Sequence, residues 1–304
     1  MKHSLTPFLS RRNFLALSGI VPAALAVRGV VSDSVAQAVT PDADEAKRYP
    51  IGLELYSVRG ELARDLPNTL RTVAKIGYQV VEFYSPYFKW TPIYAKDVRA
   101  QMDDLGLRCY STHNGFESFT AGENMAHAIE LNQILGVRYI VLASAPGSAR
   151  GVEGWKNLCE RLTAATEQLQ PHGLRAGYHN HQAEWAKLDG GQRIMEVIAA
   201  NTPKEFALQL DVGTCEEGGV DPVAWVKANP GRIKMMHLKD WAPDKDKGYR
   251  VLFGEGVTPW KELLAAAESV GGVEYFLIEQ EGSRFSEFET AKRCLENWKA
   301  TRKA

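Results

Sequence analysis

Several protein classes are excluded by what this sequence lacks. The 304 residues include only four cysteines, which stand far apart and form no CxxC pair. That spacing excludes a disulfide-dense scaffold and opposes a structural zinc site or a thioredoxin-type redox motif. The formal net charge is −1, so no overall positive field attracts nucleic acid. The absence of GxGxxG, GxxxxGKS/T, HExxH and GxSxG motifs removes the common dinucleotide, nucleotide, zincin and serine-hydrolase interpretations.

The first 38 residues have the organisation of an export signal. Residues 10–15 read SRRNFL and resemble the twin-arginine motif, and an apolar run of 14 residues, 14–27, follows. That run is shorter than the roughly 20 residues that a membrane-spanning helix needs. The small-x-small triplet at 36–38 then offers a cleavage site. We therefore expect a twin-arginine signal over 1–38, a linker over 39–50 and a periplasmic mature protein, with an amphipathic or anchoring helix as the alternative.

The remainder of the chain, 51–304, alternates short apolar segments with segments of helical periodicity. Trp155, Leu158, Leu162 and Leu169, for example, fall on one face of a helix. The segments expected to form strands are 51–57, 78–83, 107–113, 137–143, 174–179, 206–211, 232–237 and 273–279. Eight strand–helix units predict one α/β domain, a single (β/α)8 TIM barrel with eight parallel strands, in preference to an open doubly wound sheet.

Polar side chains suited to metal binding collect where these strands end. In a parallel barrel the carboxyl ends of the strands form the active-site face. His179, Asp211, His237 and Glu279 stand at the ends of four consecutive expected strands. Imidazole nitrogen and carboxylate oxygen together favour Mn²⁺, Zn²⁺, Co²⁺ or Fe²⁺ over Ca²⁺. We expect one divalent metal ion, Mn²⁺ first and Zn²⁺, Co²⁺, Fe²⁺ or Mg²⁺ as alternatives. The competing interpretation is that each residue is a polar cap on a buried strand.

Five short motifs lie at or just beyond the ends of the expected strands. They are Leu55-Tyr56-Ser57-Val58-Arg59, Tyr178-His179-Asn180-His181, Leu210-Asp211-Val212-Gly213, His237-Leu238-Lys239-Asp240 and Glu279-Gln280. Together they resemble the motifs of the sugar phosphate isomerase/epimerase family, the xylose isomerase-like barrels, over about 51–298. The resemblance implies a metal held by Glu, Asp, His and Glu from strands 5 to 8. Asp211, His237 and Glu279 match the last three positions, whereas His179 occupies the first.

The departure at His179 bears on proton transfer. The resemblance implies that two metal-bound glutamates move the protons in the epimerases, and only Glu279 remains of that pair. Glu279, or His181 two residues after His179 on the same strand face, is the expected base. Lys239 and His113 are expected to donate to an oxyanion or a leaving group. This departure weakens the case for symmetric epimerisation, and proton abstraction followed by loss of a leaving group remains open.

Further side chains near the strand ends and loop tips are expected to contact a substrate. Aromatic rings can stack on the apolar face of a sugar, and a glutamate between two glycines suits a mobile lid. These expected contacts are Glu54, Tyr56, Arg59, His113, Trp185, Trp241 and Glu255, with Phe116 as a further aromatic candidate. Packing residues and a plain mobile loop are the alternative interpretations of the same positions.

The function predicted from these features is that of a metal-dependent sugar isomerase or epimerase. It would abstract a proton next to a carbonyl of a sugar or keto-sugar. An inosose dehydratase-like or 3-keto-glycoside β-eliminating lyase is the close alternative, and a non-catalytic periplasmic sugar-binding barrel is the alternative of another class. Signal removal takes away four basic residues and one acidic residue, so the mature net charge of −4 opposes an abasic-site endonuclease. The expected partner is a small carbohydrate, with no nucleic acid and no membrane after cleavage, and a homo-oligomer is compatible with the sequence.

The twin-arginine assignment makes a direct prediction. Changing Arg11 and Arg12 to Lys keeps the positive charge but removes the arginine pair that the motif requires. We expect the double variant to stay in the cytoplasm, as measured by immunoblotting of periplasmic and cytoplasmic fractions. An unchanged periplasmic amount would contradict the assignment.

Overall fold

Eight parallel strands close into one barrel. The computed structural model describes residues 49–303, so the arginine motif, the apolar run, the cleavage triplet and most of the expected linker lie outside the described residues. The strands pair in chain order and the last returns to the first, where Leu53 faces Ile278. They are β1 Ile51–Glu54, β2 Val80–Phe83, β3 Arg108–Asn114, β4 Tyr139–Leu142, β5 Arg175–His179, β6 Ala207–Asp211, β7 Met235–Leu238 and β8 Tyr275–Ile278. The predicted single (β/α)8 barrel is confirmed.

Helices fill the connections between these strands. They are α1 Arg59–Arg64, α2 Leu66–Ile76, α3 Pro92–Asp104, α4 Glu123–Leu135, α5 Gly151–Leu169, α6 Ile194–Asn201, α7 Val212–Glu217, α8 Pro222–Ala228, α9 Trp260–Ala266 and α10 Glu287–Thr301. Short 3-10 turns occupy Leu55–Val58, Ser85–Lys89, Phe116–Phe119, Gln170–His172 and Gln182–Trp185, and one π turn occupies Ala267–Gly271. Within 49–303, none of the helices has the length and apolar character needed to cross a bilayer.

The observed strand boundaries differ from the expected ones for local reasons. Strand β1 ends at Glu54 instead of at residue 57, because the chain turns there into the 3-10 helix Leu55–Val58. The Glu54 carboxylate caps that turn by accepting a hydrogen bond of 2.5 Å from the Tyr56 amide. Helices α2 and α4 end at Gly77 and Gly136, whose φ angles of 113° and 79° lie in the left-handed region that favours glycine.

The interior of the barrel has an apolar lower layer and a polar upper layer. The lower layer is a small buried cluster of Val80, Tyr139, Val141, Ala207, Met235, Tyr275 and Leu277. Side chains two residues apart on a strand face the same way. Glu82, His237 and Glu279 each stand two residues beyond a member of this cluster, and Asp211 stands four beyond Ala207. The strand periodicity therefore directs these polar groups into the barrel, above its apolar floor.

The opposite face of each strand packs against the helices. Val81, Ile140 and Leu210 alternate with the inward residues and belong to the larger core, which includes Leu162 of α5 and Leu295 of α10. All five side chains are at most 1% exposed. This continuous outer layer holds the strands in register, and the register determines which polar groups meet inside.

A substitution at Gly52 tests how tightly the side chains in the barrel interior are packed. A Cβ at this position would lie 2.7 Å from Leu277 Cδ2 and 2.8 Å from Val80 Cβ. We expect Gly52→Ala to destabilise the protein by about 1–3 kcal/mol, the usual cost of overpacking a core. Urea unfolding measures this change in the free energy of unfolding. Gly147→Ala is the matched control, because a Cβ there meets no atom within 4 Å. Equal effects of the two substitutions would contradict the tight interior packing.

Candidate metal centre and active site

The structure brings the four expected metal ligands together. His179, Asp211, His237 and Glu279 each offer one ligand atom, and these atoms all lie within 4.8 Å of one another. All four residues are buried, with exposures between 0% and 6%. They come from β5, β6, β7 and the residue after β8, at the carboxyl ends of adjacent strands. This cluster, called here the four-ligand cluster, has two nitrogen and two oxygen donors and could hold a divalent cation.

Two atoms of the four-ligand cluster are buried without a hydrogen-bond partner. They are Nδ1 of His179 and Oδ2 of Asp211. The other carboxylate oxygen of Asp211 accepts a hydrogen bond of 2.8 Å from the Thr214 amide, which fixes the orientation of the side chain. Leaving buried polar atoms unpaired costs free energy. A cation bound by both atoms would satisfy them, so the residues present fit a metal ion.

His237 lies between two carboxylates. Its Nδ1 is 2.5 Å from Oε2 of Glu279, and its Nε2 is 2.6 Å from Oε2 of Glu82. Burial alone would lower the pKa of His237, but the two adjacent carboxylates outweigh burial and raise it well above its ordinary value. Metal binding requires the unprotonated nitrogen, so a cation would have to displace a proton from this imidazole.

Lys239 supplies a buried positive charge beside the same cluster. Its Nζ lies 3.7 Å from Oδ2 of Asp211 and 3.6 Å from Oε1 of Glu279, and it also contacts Glu281. Burial opposes the charge of Lys239, but these carboxylates raise the pKa of its ammonium group above the usual value. Burial likewise raises the pKa of Glu279, yet Lys239 and His237 together hold it well below the ordinary range. Glu279 is therefore ionised and Lys239 protonated at neutral pH.

The remaining two ligands respond differently to burial. Burial raises the pKa of Asp211 to about 6, against the opposing effect of Lys239. Burial and then the neighbouring imidazoles of His113 and His237 lower the pKa of His179 well below its ordinary value. His179 is therefore a neutral imidazole, which is the form that binds metals. Its ring centroid lies 4.7 Å from that of His237.

A second buried group lies next to the cluster and includes a residue without a predicted role. Glu54, Glu82 and His113 offer ligand atoms within 4.8 Å of one another. Glu82 is the penultimate residue of the expected second strand, 78–83, but no function followed from its position in the sequence. The available signal was a single carboxylate in the otherwise apolar strand sequence VVEF. Glu82 stands two residues after Val80 and therefore faces the same side of the strand.

Glu82 connects several polar side chains across the barrel. It accepts hydrogen bonds from Ser111 and, at 2.9 Å, from Nε2 of Gln209. Gln209 Oε1 lies 2.7 Å from Nε2 of His113, which is also 3.3 Å from Glu82 Oε2. Burial raises the pKa of Glu82, but His113 and His237 outweigh it and lower the pKa below the usual value. His113 therefore belongs to this interior network, at 8% exposure.

Glu54 differs from Glu82 in having few partners. Its Oε1 is buried without a hydrogen bond, while Oε2 caps the turn at Tyr56. Burial, followed by the nearby charges of Glu279 and Glu82, raises the pKa of Glu54 well above its ordinary value. Burial and the neighbouring carboxylates thus disfavour the ionised form of Glu54.

The expected substrate contacts divide into exposed and buried residues. Tyr56 is 37% exposed, and the Arg59 guanidinium stacks 4.5 Å above its ring. His181 is exposed, with its ring 4.8 Å from that of His179. Trp241 is half-buried and donates its amide to Asp240. These side chains are accessible near the four-ligand cluster or on the loops around it.

Trp185 requires a correction. Its side chain is only 1% exposed, and its ring packs edge-on against Trp225 at 5.0 Å. A ring so enclosed belongs to the packing between the β5 and β6 connections, and it is unavailable for stacking on a sugar.

The half-buried Phe116 is covered by the Arg161 guanidinium, 4.2 Å from the ring centroid.

The loop after β7 is held in place by one buried carboxylate. Asp240, 1% exposed, accepts five hydrogen bonds of 2.9–3.0 Å. The donors are the amides of Trp241, Gly254 and Gly256, the hydroxyl of Thr258 and the indole of Trp260. Glu255 also forms a two-fold ion pair with Arg284 at 2.6 and 2.9 Å. The lid expected around Glu255 is therefore a tethered loop.

Comparisons with known proteins agree with this architecture. The family described as the xylose isomerase-like TIM barrel matches residues 70–301. The chain is 26% identical over 252 residues to SgbU of Escherichia coli (strain K12), a protein named as a putative L-ribulose-5-phosphate 3-epimerase. That match covers 72% of this chain and 85% of SgbU. It is 31% identical over 100 residues, 32% of each protein, to an inosose dehydratase of Salmonella typhimurium (strain LT2). A crystal structure of a sugar phosphate isomerase/epimerase from Parabacteroides distasonis has a TM-score of 0.70 and 26% identity, over 83% of this chain and 96% of that one.

Asp240→Asn tests whether this one carboxylate holds the loop. An amide can accept on only one oxygen, so at least two of the five donors would face an NH₂ group. We expect a loss of about 2–4 kcal/mol in unfolding free energy, from buried donors left unpaired at about 1–3 kcal/mol each. Thermal unfolding and limited proteolysis between residues 241 and 259 measure the effect. Asp244→Asn, an exposed change in the same loop, is the control, and equal protease resistance of the two variants would contradict this role of Asp240.

Proposed function

Because the chain belongs to the xylose isomerase-like TIM barrel family, we propose that it is a metal-dependent sugar isomerase or epimerase. The reaction begins with removal of a proton from the carbon next to a carbonyl of a sugar or keto-sugar. The observation that carries this proposal is the four-ligand cluster, with two of its buried polar atoms unpaired. We further propose the periplasm as its location, on the arginine pair and apolar run of the first 38 residues.

The proposed cofactor is one divalent metal ion held by His179, Asp211, His237 and Glu279. When bound, such an ion polarises a carbonyl and stabilises the negative charge that develops on its oxygen. Two imidazole nitrogens and two carboxylate oxygens are compatible with Mn²⁺, our first choice, and with Zn²⁺, Co²⁺, Fe²⁺ or Mg²⁺. Neutral His179 is ready to donate its lone pair, whereas His237 must first release a proton.

Two residues are candidates for the base. Glu279 is ionised and is held from one side by His237 and from the other by Lys239. His181 is an exposed imidazole beside His179, where a substrate can reach it without entering the barrel interior. Lys239 stays protonated, so it serves as a hydrogen-bond donor to a developing oxyanion and as a positive charge. We propose Glu279 as the base and His181 as the alternative.

A lyase of the inosose dehydratase or 3-keto-glycoside β-eliminating type is the second candidate. His179 in place of a glutamate leaves one carboxylate base, which suffices for proton removal followed by loss of a leaving group. Symmetric epimerisation needs a second proton carrier on the other side of the substrate. Glu54, whose pKa is raised by burial, is the candidate donor of a proton to the leaving group. Similarity to an inosose dehydratase over 100 residues supports this alternative.

A solvent-exchange experiment tests the shared first step. The purified protein, loaded with Mn²⁺, is incubated in D₂O with a panel of keto-sugars and inososes, and the metal is removed before NMR. We expect deuterium at the carbon next to the carbonyl of the accepted substrate. A rearranged sugar identifies an isomerase or epimerase, and loss of water or an alcohol identifies a lyase. Metal binding without exchange in any compound would contradict both and favour a sugar-binding barrel.

Metal binding should be visible as a gain in stability. A ligand present at 100 times its dissociation constant stabilises the native state by about 2.7 kcal/mol. For a domain of this size, that corresponds to roughly 5–10 °C in Tm. We expect Mn²⁺ to raise the Tm of the chelator-treated protein by this amount. His179→Ala should abolish most of the rise, whereas His172→Ala, which changes an exposed histidine, should retain it. An equal rise in both variants would contradict the ligand assignment.

The choice of base is tested by two substitutions. Glu279→Gln keeps the size and one oxygen donor but removes the proton acceptor, so we expect solvent exchange to fall by about 10²–10⁴-fold. His181→Ala should then have a much smaller effect, with metal content measured in both variants. The opposite outcome, persistent exchange in Glu279→Gln and loss in His181→Ala, would make His181 the base and Glu279 a ligand only.

A further inference from the structure

We infer that Glu82 positions His237 so that this histidine binds the metal through Nδ1, while its Nε2–H is donated to Glu82. The inference rests on the metal site of the proposed function and assigns a role to a residue outside the four-ligand cluster. Glu82 is a positioning residue in this proposal, because it acts through His237 and touches no substrate.

The two nitrogens of His237 face different groups. Nδ1 is 2.5 Å from Glu279, a member of the four-ligand cluster, whereas Nε2 is 2.6 Å from Glu82 on β2. A neutral imidazole carries a proton on only one nitrogen, and the nitrogen without it holds the lone pair that a metal needs. A proton kept on Nε2 by Glu82 therefore leaves the lone pair on the side of the other ligands.

Glu82 is held so that it can act only as an acceptor. Its side chain is 0% exposed, and Oε1 accepts hydrogen bonds from the Ser111 hydroxyl and the Gln209 amide group. Because Gln209 donates through Nε2, its Oε1 is free to accept from His113 Nε2 at 2.7 Å. His113 thus has a closer acceptor than Glu82, from which it is 3.3 Å away. The nearest donor to Glu82 Oε2 is His237.

This network is assembled from four different strands. Glu82 lies on β2, Ser111 on β3, Gln209 on β6 and His237 on β7. None of these side chains can turn toward water, because each is 0% exposed. A carboxylate that accepts the second N–H of a ligating histidine fixes the tautomer and the ring orientation, and it increases the basicity of the ligand. Loss of such a partner typically weakens metal binding by about 10–100-fold.

The tautomer can be observed directly in the unaltered protein. Zn²⁺ is diamagnetic, so two-bond ¹H–¹⁵N correlation spectra of the Zn²⁺-loaded, ¹⁵N-histidine-labelled protein report the state of each ring nitrogen. His237→Asn assigns the His237 signals by their absence. We expect a metal-bound Nδ1 and a protonated Nε2 for His237. A metal-bound or unprotonated Nε2 would overturn this inference and leave the metal site of the proposed function intact. Failure of the protein to bind Zn²⁺ would overturn both.

Affinity provides the second readout. Glu82→Gln keeps the shape of the side chain but replaces the charged acceptor by an amide. We expect Zn²⁺ affinity, measured by calorimetry on the metal-free protein, to fall by about 10–100-fold. Glu274→Gln is the matched control: Glu274 accepts from Tyr139 and pairs with Arg138 away from the cluster. Unchanged affinity in a folded Glu82→Gln protein would overturn the inference. The tautomer measurement decides it if that variant does not fold.

Discussion

The interior of the barrel depends on the balance of buried charge. Glu54, Glu82, Asp211 and Glu279 stand in a closed interior that is almost inaccessible to water, and burying an uncompensated carboxylate is costly. His113 and His237 keep the pKa of Glu82 low, and Lys239 and His237 keep that of Glu279 low, so those two groups are ionised. The pKa of Asp211 is raised to about 6 and that of Glu54 well above its ordinary value, so positive charge is insufficient for all four. A divalent cation between Asp211 and Glu279 would supply the missing charge.

The closed parallel sheet places that charge at one level. Each strand enters from the same end, so inward positions near the carboxyl ends lie at similar heights in the barrel. Asp211 pairs in register with His237, and His237 with Leu277, two residues before Glu279. This register brings residues that are far apart in the chain to within 4.8 Å. The apolar cluster below them fills the interior on that side.

This geometry explains how much the sequence could predict. The alternation of strands and helices predicted the barrel, and polar residues at the strand ends predicted which four side chains lie together, because both depend on local patterns and one general property of parallel barrels. The role of Glu82 depends on which nitrogen of His237 faces β2, and no pattern within β2 contains that information. The role of Asp240 is similar, since its five donors come from a loop of irregular conformation. Trp185 was misassigned because its burial depends on Trp225, 40 positions further along the chain.

His179, which stands where the resembled family has a glutamate, changes the total charge of the ligand set. A donor set of three carboxylates and one imidazole, the pattern of the resembled family, carries a charge of −3. With His179 in the first position, Asp211 and Glu279 carry −2, which equals the charge of one divalent cation. A bound cation would then polarise a substrate oxygen more strongly than it would among three carboxylates, because fewer negative ligands neutralise its charge. Lys239, 3.6 Å from Glu279 and 3.7 Å from Asp211, adds a further positive charge on the same side. The site would thus stabilise a developing anion, which is the step that the proposed isomerase or epimerase reaction shares with the alternative lyase reaction.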